Sequence, residues 1–141
     1  MKNSPVLLAI FFCWMSACVR PSIEGQKSSQ QEATEISVVR SYFAAINTKD
    51  QATLSKLLAE NVKVSVGQKS WGKATELANR VEAWTRDPKY ATEITSIILQ
   101  AGIVKVSVMV TYESHGTRVR QEINNSFNVQ RGQIIQAILS P

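Results

Sequence analysis

Asn125 stands on the apolar side of an alternating run, Val119, Gln121, Ile123, Asn125, Phe127, Val129. An amide at that position donates a hydrogen bond without needing a shifted pKa. It also fits a plain structural role, bonded to backbone, and both readings stay open. Gln121 is a second inward polar candidate on the same side. The opposite side carries Arg118, Arg120 and Glu122, with Glu113 just before the turn. These four are expected to form exposed cross-strand pairs, each contributing a few tenths to about 1 kcal/mol. His115 falls at a polar hairpin tip. A catalytic histidine needs an orienting partner, and the sequence places none. Two cysteines and one histidine cannot assemble a Cys/His zinc cage. There is no Walker loop, no GxGxxG and no nucleophile elbow. The reading therefore expects no metal and no cofactor. Sixteen Lys+Arg against eleven Asp+Glu give a net charge of +5. The basic residues are scattered, and Arg118 with Arg120 is the only tight pair, so nucleic acid is not an expected partner.

The elements that must position these residues follow from hydrophobic period. A length of 141 residues supports one domain. Residues 32–47 predict a helix, with Ile36, Val39, Phe43 and Ile46 at three-to-four spacing and Tyr42 and Ala45 beside them. Asp50 suits the N-cap of a second, short helix carrying Leu54, Leu57 and Leu58, with Asn61 as the left-handed residue that ends it. Val62, Val64 and Val66 alternate as a strand. A loop through Gly67 and Trp71-Gly72-Lys73 leads to a third helix over 74–86, with Leu77, Val81 and Trp84 on one face. Asp87-Pro88 stop it. Four strands follow, at 94–99, 104–113, 118–129 and 133–139, separated by turns at Ala101-Gly102, Ser114-His115-Gly116 and Gln130-Arg131-Gly132. Long antiparallel strands arriving after helices describe an α+β domain, in which the helices bury their apolar faces only inside one curved sheet.

The N-terminus has a different character. Lys2 precedes an apolar run from Val6 to Met15. At about 1.5 Å per residue that run is too short for a bilayer core of about 30 Å. It ends in Met15-Ser16-Ala17-Cys18, which resembles the bacterial lipoprotein signal. That resemblance implies cleavage before Cys18 and attachment of acyl chains, palmitate among them, to it. Two or three chains hold a protein durably to a membrane. Val19, rather than Asp, favours the outer membrane facing the periplasm. The expected organisation is a signal peptide over 1–17, a flexible tether over 18–31, rich in Ser and Gln, and one domain over 32–141.

The order of elements resembles the nuclear transport factor 2-like superfamily in its SnoaL-like and ketosteroid-isomerase-like branch. Three stretches carry the likeness. They are the run from Val39 through Asp50 into Leu54, Leu57, Leu58 and Glu60-Asn61-Val62, the Trp71-Gly72-Lys73-Ala74 opening of the third helix, and the long hairpins to the C-terminus. The resemblance implies a cone-like curved sheet wrapped around the first helix, with an open-ended cavity. Many members bind small apolar molecules there, some catalyse, and many dimerise through the convex sheet face. Isomerases of this kind polarise a carbonyl with a Tyr and a protonated Asp, and move a proton with an Asp base. Tyr42 matches the donor Tyr, and Asn125 falls at the protonated Asp. The base position falls at Val66, which cannot accept a proton, and Lys63 and Ser65 point to the other face. The expectation is a membrane-anchored, non-catalytic binding module whose ligand meets Tyr42, Asn125, Trp84 and Phe127. One alternative is a SnoaL- or isomerase-like enzyme acting on an apolar carbonyl compound. The other is a dimeric scaffold with its cavity plugged by Trp71, Trp84 and Phe127. The expected partners are the lipid bilayer through Cys18, a small apolar ligand and a second copy through the sheet face.

Overall fold

A computed structural model describes the backbone of residues 23–141 and the side chains from residue 29. The expected signal peptide and Cys18 lie outside the described residues. Helix α1 spans Ile23–Thr48. Its second half carries the apolar period, with Val39, Tyr42, Phe43, Ala45 and Ile46 all buried. The helix begins well before residue 32, so residues 23–31, read as tether, are helical. Once a packed half is formed, extending a helix through Gln, Ser and Glu residues is easy. Asp50 caps α2 (Gln51–Leu57), its carboxylate accepting from the Thr53 N–H at 3.0 Å and the Thr53 hydroxyl at 2.6 Å.

The short helix ends earlier than expected. Leu58 already opens β1 (Leu58–Val66), and Asn61 is an exposed strand residue, not a left-handed cap. Leu58 is fully buried opposite Ile134, and that pairing draws the chain into the sheet. Trp71 pairs with Val64 in a three-residue strand β2 (Lys69–Trp71), a segment expected to be loop. Then follow α3 (Lys73–Arg86), β3 (Ala91–Gln100), β4 (Ile103–Ser114), β5 (Thr117–Gln130) and β6 (Gln133–Leu139).

The six strands form one sheet in the order β2-β1-β6-β5-β4-β3. Strands β3 to β6 make an antiparallel meander, but β1 and β6 pair in parallel, so the sheet is mixed and not wholly antiparallel. A parallel pair needs a long crossover, and α3 with the three hairpin strands supplies it. Each hairpin of the meander turns on two residues with positive φ: Ala101-Gly102, His115-Gly116 and Arg131-Gly132. That geometry matches the right-handed twist of the flanking strands, and glycine takes the second position at no steric cost. Val104, Val106, Val108 and Val110 of β4 and Phe127 and Val129 of β5 face α1 in the core. Tyr42, Phe43 and Phe127 pack as an aromatic trio with centroids 5.2 to 5.8 Å apart.

Helix α3 sits differently from its expected face. Glu76 and Trp84 are buried and Leu77 is half-buried, but Val81 is 38% exposed. The buried stripe follows 76, 80 and 84, because a carboxylate and a guanidinium there neutralise each other. Among the described residues, no helix is long and apolar enough to cross a membrane.

Candidate functional site

Three elements converge on one buried carboxylate. Glu76 is 2% exposed. Its Oε1 accepts from Arg80 Nε at 2.7 Å and from the Tyr42 hydroxyl at 3.1 Å, and its Oε2 accepts from the Trp71 indole N–H at 2.8 Å. Arg80 also donates through Nη2 to the Tyr42 oxygen at 2.8 Å and lies 5.7 Å from that ring's centre. Position i,i+4 on α3 brings Glu76 and Arg80 together. Position 42 on α1 and the end of β2 bring the other two. Burial works against the Arg80 charge, but the Tyr42 and Glu76 oxygens beside it more than offset that and hold its pKa above its ordinary value. Burial pushes the Tyr42 hydroxyl well up, and Glu76 adds to the shift while Arg80 opposes it.

A cavity of about 150 Å³ lies beside this network. Phe43, Ile46, Val66, Val110, Ile123 and Leu139 form its apolar wall, and Arg80, Tyr90, Thr92, Asn125 and Ser140 its polar part. No carboxylate lines it. Arg80 uses Nε and Nη2 on Glu76 and Tyr42, and its Nη1 has no hydrogen-bond partner among the described residues. Asn125 is buried, and its Oδ1 accepts from the Ser140 N–H at 2.9 Å, which commits the oxygen and leaves the amide N–H₂ as donor. Thr92 is tied to α1, since Asn47 accepts from the Thr92 N–H and hydroxyl and donates to the Thr92 carbonyl. The cavity therefore presents the Arg80 and Asn125 donors beside the hydroxyls of Tyr90, Thr92 and Ser140, on an apolar background.

Of the four residues expected to meet a ligand, only Asn125 lines this cavity. Tyr42 is one layer away, its proton given to Glu76, so it holds Arg80 in place and does not donate into the cavity. Phe127 is completely buried in the aromatic trio behind it. Trp84 is buried on α3 outside the lining. Val66, at the expected base position, is part of the wall. Trp71 neither plugs the cavity nor guards its mouth, because its indole is spent on Glu76. Gln121 is exposed and accepts from the Tyr112 hydroxyl at 3.2 Å, since this end of the β4–β5 hairpin runs past the helices that would cover it.

Sequence reasoning passed over Glu76 and Arg80. The signal was there: an i,i+4 Glu–Arg pair in register with Trp84 on one stripe of α3. The expected cross-strand ion pairs also differ. Arg118 and Arg120 stand opposite Glu113 and Thr111, but their ion pairs go to Asp87 and Glu93. Asp87 lies closer to the Arg118 head because the α3–β3 turn folds against the hairpin.

That turn borders a second, outer cleft of about 370 Å³, lined by Ala83, Arg86, Asp87, Tyr90, Tyr112, Glu113 and His115. His115 is exposed there, its Nδ1 3.1 Å from the Ser114 hydroxyl. Among the described residues no group of His, Cys, Asp and Glu could hold a metal ion.

No family model matches the chain, and no curated protein matches it. Solved structures do. An epoxide hydrolase of the LEH-like type from M. tuberculosis aligns over 78% of this chain and 84% of its own, with 16% identity and a TM-score of 0.70. A putative polyketide cyclase from Sinorhizobium meliloti aligns over 73% and 93%, with 22% identity and a TM-score of 0.64. A putative SnoaL-like polyketide cyclase from Jannaschia sp. aligns over 77% and 85%, with 12% identity and a TM-score of 0.68. These likenesses show the fold: an α+β cone of the nuclear transport factor 2-like kind.

Proposed function

We propose that the interior cavity binds a small apolar compound through a neutral oxygen acceptor, a carbonyl above all, held by Arg80 and Asn125. The observation that carries this reading is the pair of donors, Arg80 and Asn125, in a lining that holds no carboxylate. Two strong donors with no carboxylate beside them in the lining favour a ligand oxygen, and apolar walls select the rest of the molecule. The charge balance selects a neutral head. Glu76 already neutralises Arg80, so a ligand carboxylate would leave a net negative charge in a dry site, which is costly. The protein holds this site at the membrane surface through acylated Cys18.

A thermal-shift series on the purified protein tests the reading. Apolar ketones and carboxylic acids of equal size are compared. A ketone at about 100 times its Kd adds roughly 2.7 kcal/mol of stability, and the matching acid adds much less. Asn125→Leu keeps the branched side-chain shape and removes the donor, so it abolishes the ketone's shift. A full shift in that variant places the ligand elsewhere.

The names of the structural neighbours support a second reading, a SnoaL- or isomerase-like enzyme working in the same cavity. Arg80 and Asn125 then polarise the substrate oxygen as charge develops on it. What the cavity lacks is a base, so proton abstraction forgoes a term of about 10² to 10⁴ in rate. Val66→Asp puts a carboxylate into the wall. A gain in proton exchange α to a bound ketone, followed by mass spectrometry in deuterated water, supports a polarising site. No exchange in either form leaves binding as the function.

A further inference from the structure

Tyr90 lines both hollows of this domain, the interior cavity and the outer cleft. It is half-buried on the turn between α3 and β3, with its N–H on the Asp87 carbonyl at 3.1 Å. On one side are Arg80 and Asn125. On the other are Arg86, Tyr112, Glu113 and His115. Tyr90 thus borders both hollows.

The two volumes give that position a consequence. A cavity of about 150 Å³ holds a molecule about the size of benzene. Ligand pockets usually run from about 300 to 1,000 Å³. The interior chamber alone falls below that range, and the outer cleft of about 370 Å³ brings the pair into it. The turn that carries Tyr90 is itself held. The Asp87 carboxylate accepts from Arg118 Nη1 at 3.0 and 3.2 Å, from the Glu113 N–H at 2.9 Å and from the Lys89 N–H at 3.1 Å, while Arg118 Nη2 donates to the Lys89 carbonyl. The backbone is fixed to the β4–β5 hairpin, so the moving part is the ring.

Resting on the proposed function above, we infer that the two hollows are one site divided by Tyr90. Its ligand is elongated, with a carbonyl end against Arg80 and Asn125, an apolar middle passing the Tyr90 ring, and a polar end in the outer cleft. Tyr90 is the residue that sets the length of ligand accepted.

Linear methyl ketones from butanone to decanone are the probes, each titrated into the full-length protein by calorimetry. Ketones up to about hexanone fit the interior chamber. If the site is continuous, affinity goes on rising beyond hexanone by up to about fourfold per added methylene. Tyr90→Trp blocks the passage and costs decanone at least tenfold more than it costs butanone. Tyr90→Ala keeps decanone binding and speeds its association. Circular dichroism checks that both variants fold. An affinity that peaks at hexanone, with Tyr90→Trp affecting no ketone, overturns the inference and leaves the inner site standing. If no ketone of any length binds, and Asn125→Leu changes nothing, the inner site itself fails and the inference with it.

Discussion

Glu76 is the residue on which the arrangement of the site depends, and its removal has a calculable cost. It accepts three hydrogen bonds from three elements while almost wholly buried. Glu76→Leu leaves the Arg80 guanidinium buried without its counter-ion, a loss of about 3–5 kcal/mol. Arg80→Leu strands the carboxylate in the same way at a similar cost. Removing both charges together is a different perturbation. The cluster becomes apolar, and what remains unsatisfied is chiefly the Tyr42 hydroxyl, at about 1–3 kcal/mol. The half-buried Trp71 indole can turn to water. The double variant is therefore more stable than either single one or close to it, with a coupling of about 3 kcal/mol or more. Glu76→Gln is the milder probe. It keeps the shape and an acceptor but loses the charge, for about 2 kcal/mol. Urea unfolding followed by tryptophan fluorescence measures all four, and Trp71 reports on the site directly. Additive costs, or a Glu76→Leu loss below about 1 kcal/mol, would refute the claim that this network is a coupled, dry ion pair.

Other outcomes follow from single contacts. Burial acting alone would raise the Asp87 carboxyl, but hydrogen bonds from Arg118 and from two backbone N–H groups outweigh it and lower its pKa from 3.8. A depressed folded pKa contributes stability above the unfolded value, which is lost as pH falls through the folded one. The denaturation midpoint therefore drops below about pH 4, and Asp87→Asn removes that part of the acid limb; an unchanged limb shows that Asp87 is not tied to Arg118 in solution. Asn47→Ala frees the buried Thr92 backbone from α1 and costs about 2 kcal/mol by denaturant titration. A cost near zero means that α1 and β3 are held by apolar packing alone. Cys18→Ala abolishes palmitate labelling and membrane partitioning in a bacterial host, and retention of both removes the lipoprotein reading.

The fold was legible because its parts obey strong local rules. Alternation from Val104 to Val110 and from Ile123 to Val129 placed two long strands and their inner faces, and the positive-φ pairs ending in Gly102, Gly116 and Gly132 marked three hairpins. What local rules could not show was pairing between distant segments. The parallel β1–β6 contact, the early end of α2 and the capture of Trp71 into β2 all depend on partners far along the chain. The site was misread for the same reason. Tyr42 sits on the right helix and near the cavity, but whether its hydroxyl faces a ligand or a carboxylate depends on where α3 lands, 34 residues later. Glu76 and Arg80 were passed over, since charged residues on a helix read as surface unless their partners are known.

The same network fixes the buried carboxylate that stands behind Arg80. A carboxylate has about four acceptor positions, and Glu76 has three of them filled by donors from α1, β2 and α3. Losing the Glu76 carboxylate would leave the Arg80 guanidinium without its counter-ion in a buried cluster. The role of Glu76 is to fix Arg80, which keeps one side of its guanidinium for the cavity. Tyr42 and Trp71 fix Glu76 in turn. A donor held by so many restraints does not reorient when a ligand arrives, and such preorganisation is what favours binding a neutral oxygen acceptor over water. On the proposed reading, the chemistry at this site is set by what Arg80 and Asn125 can polarise. The inner chamber itself supplies no carboxylate for proton transfer, and Val66→Asp would add one.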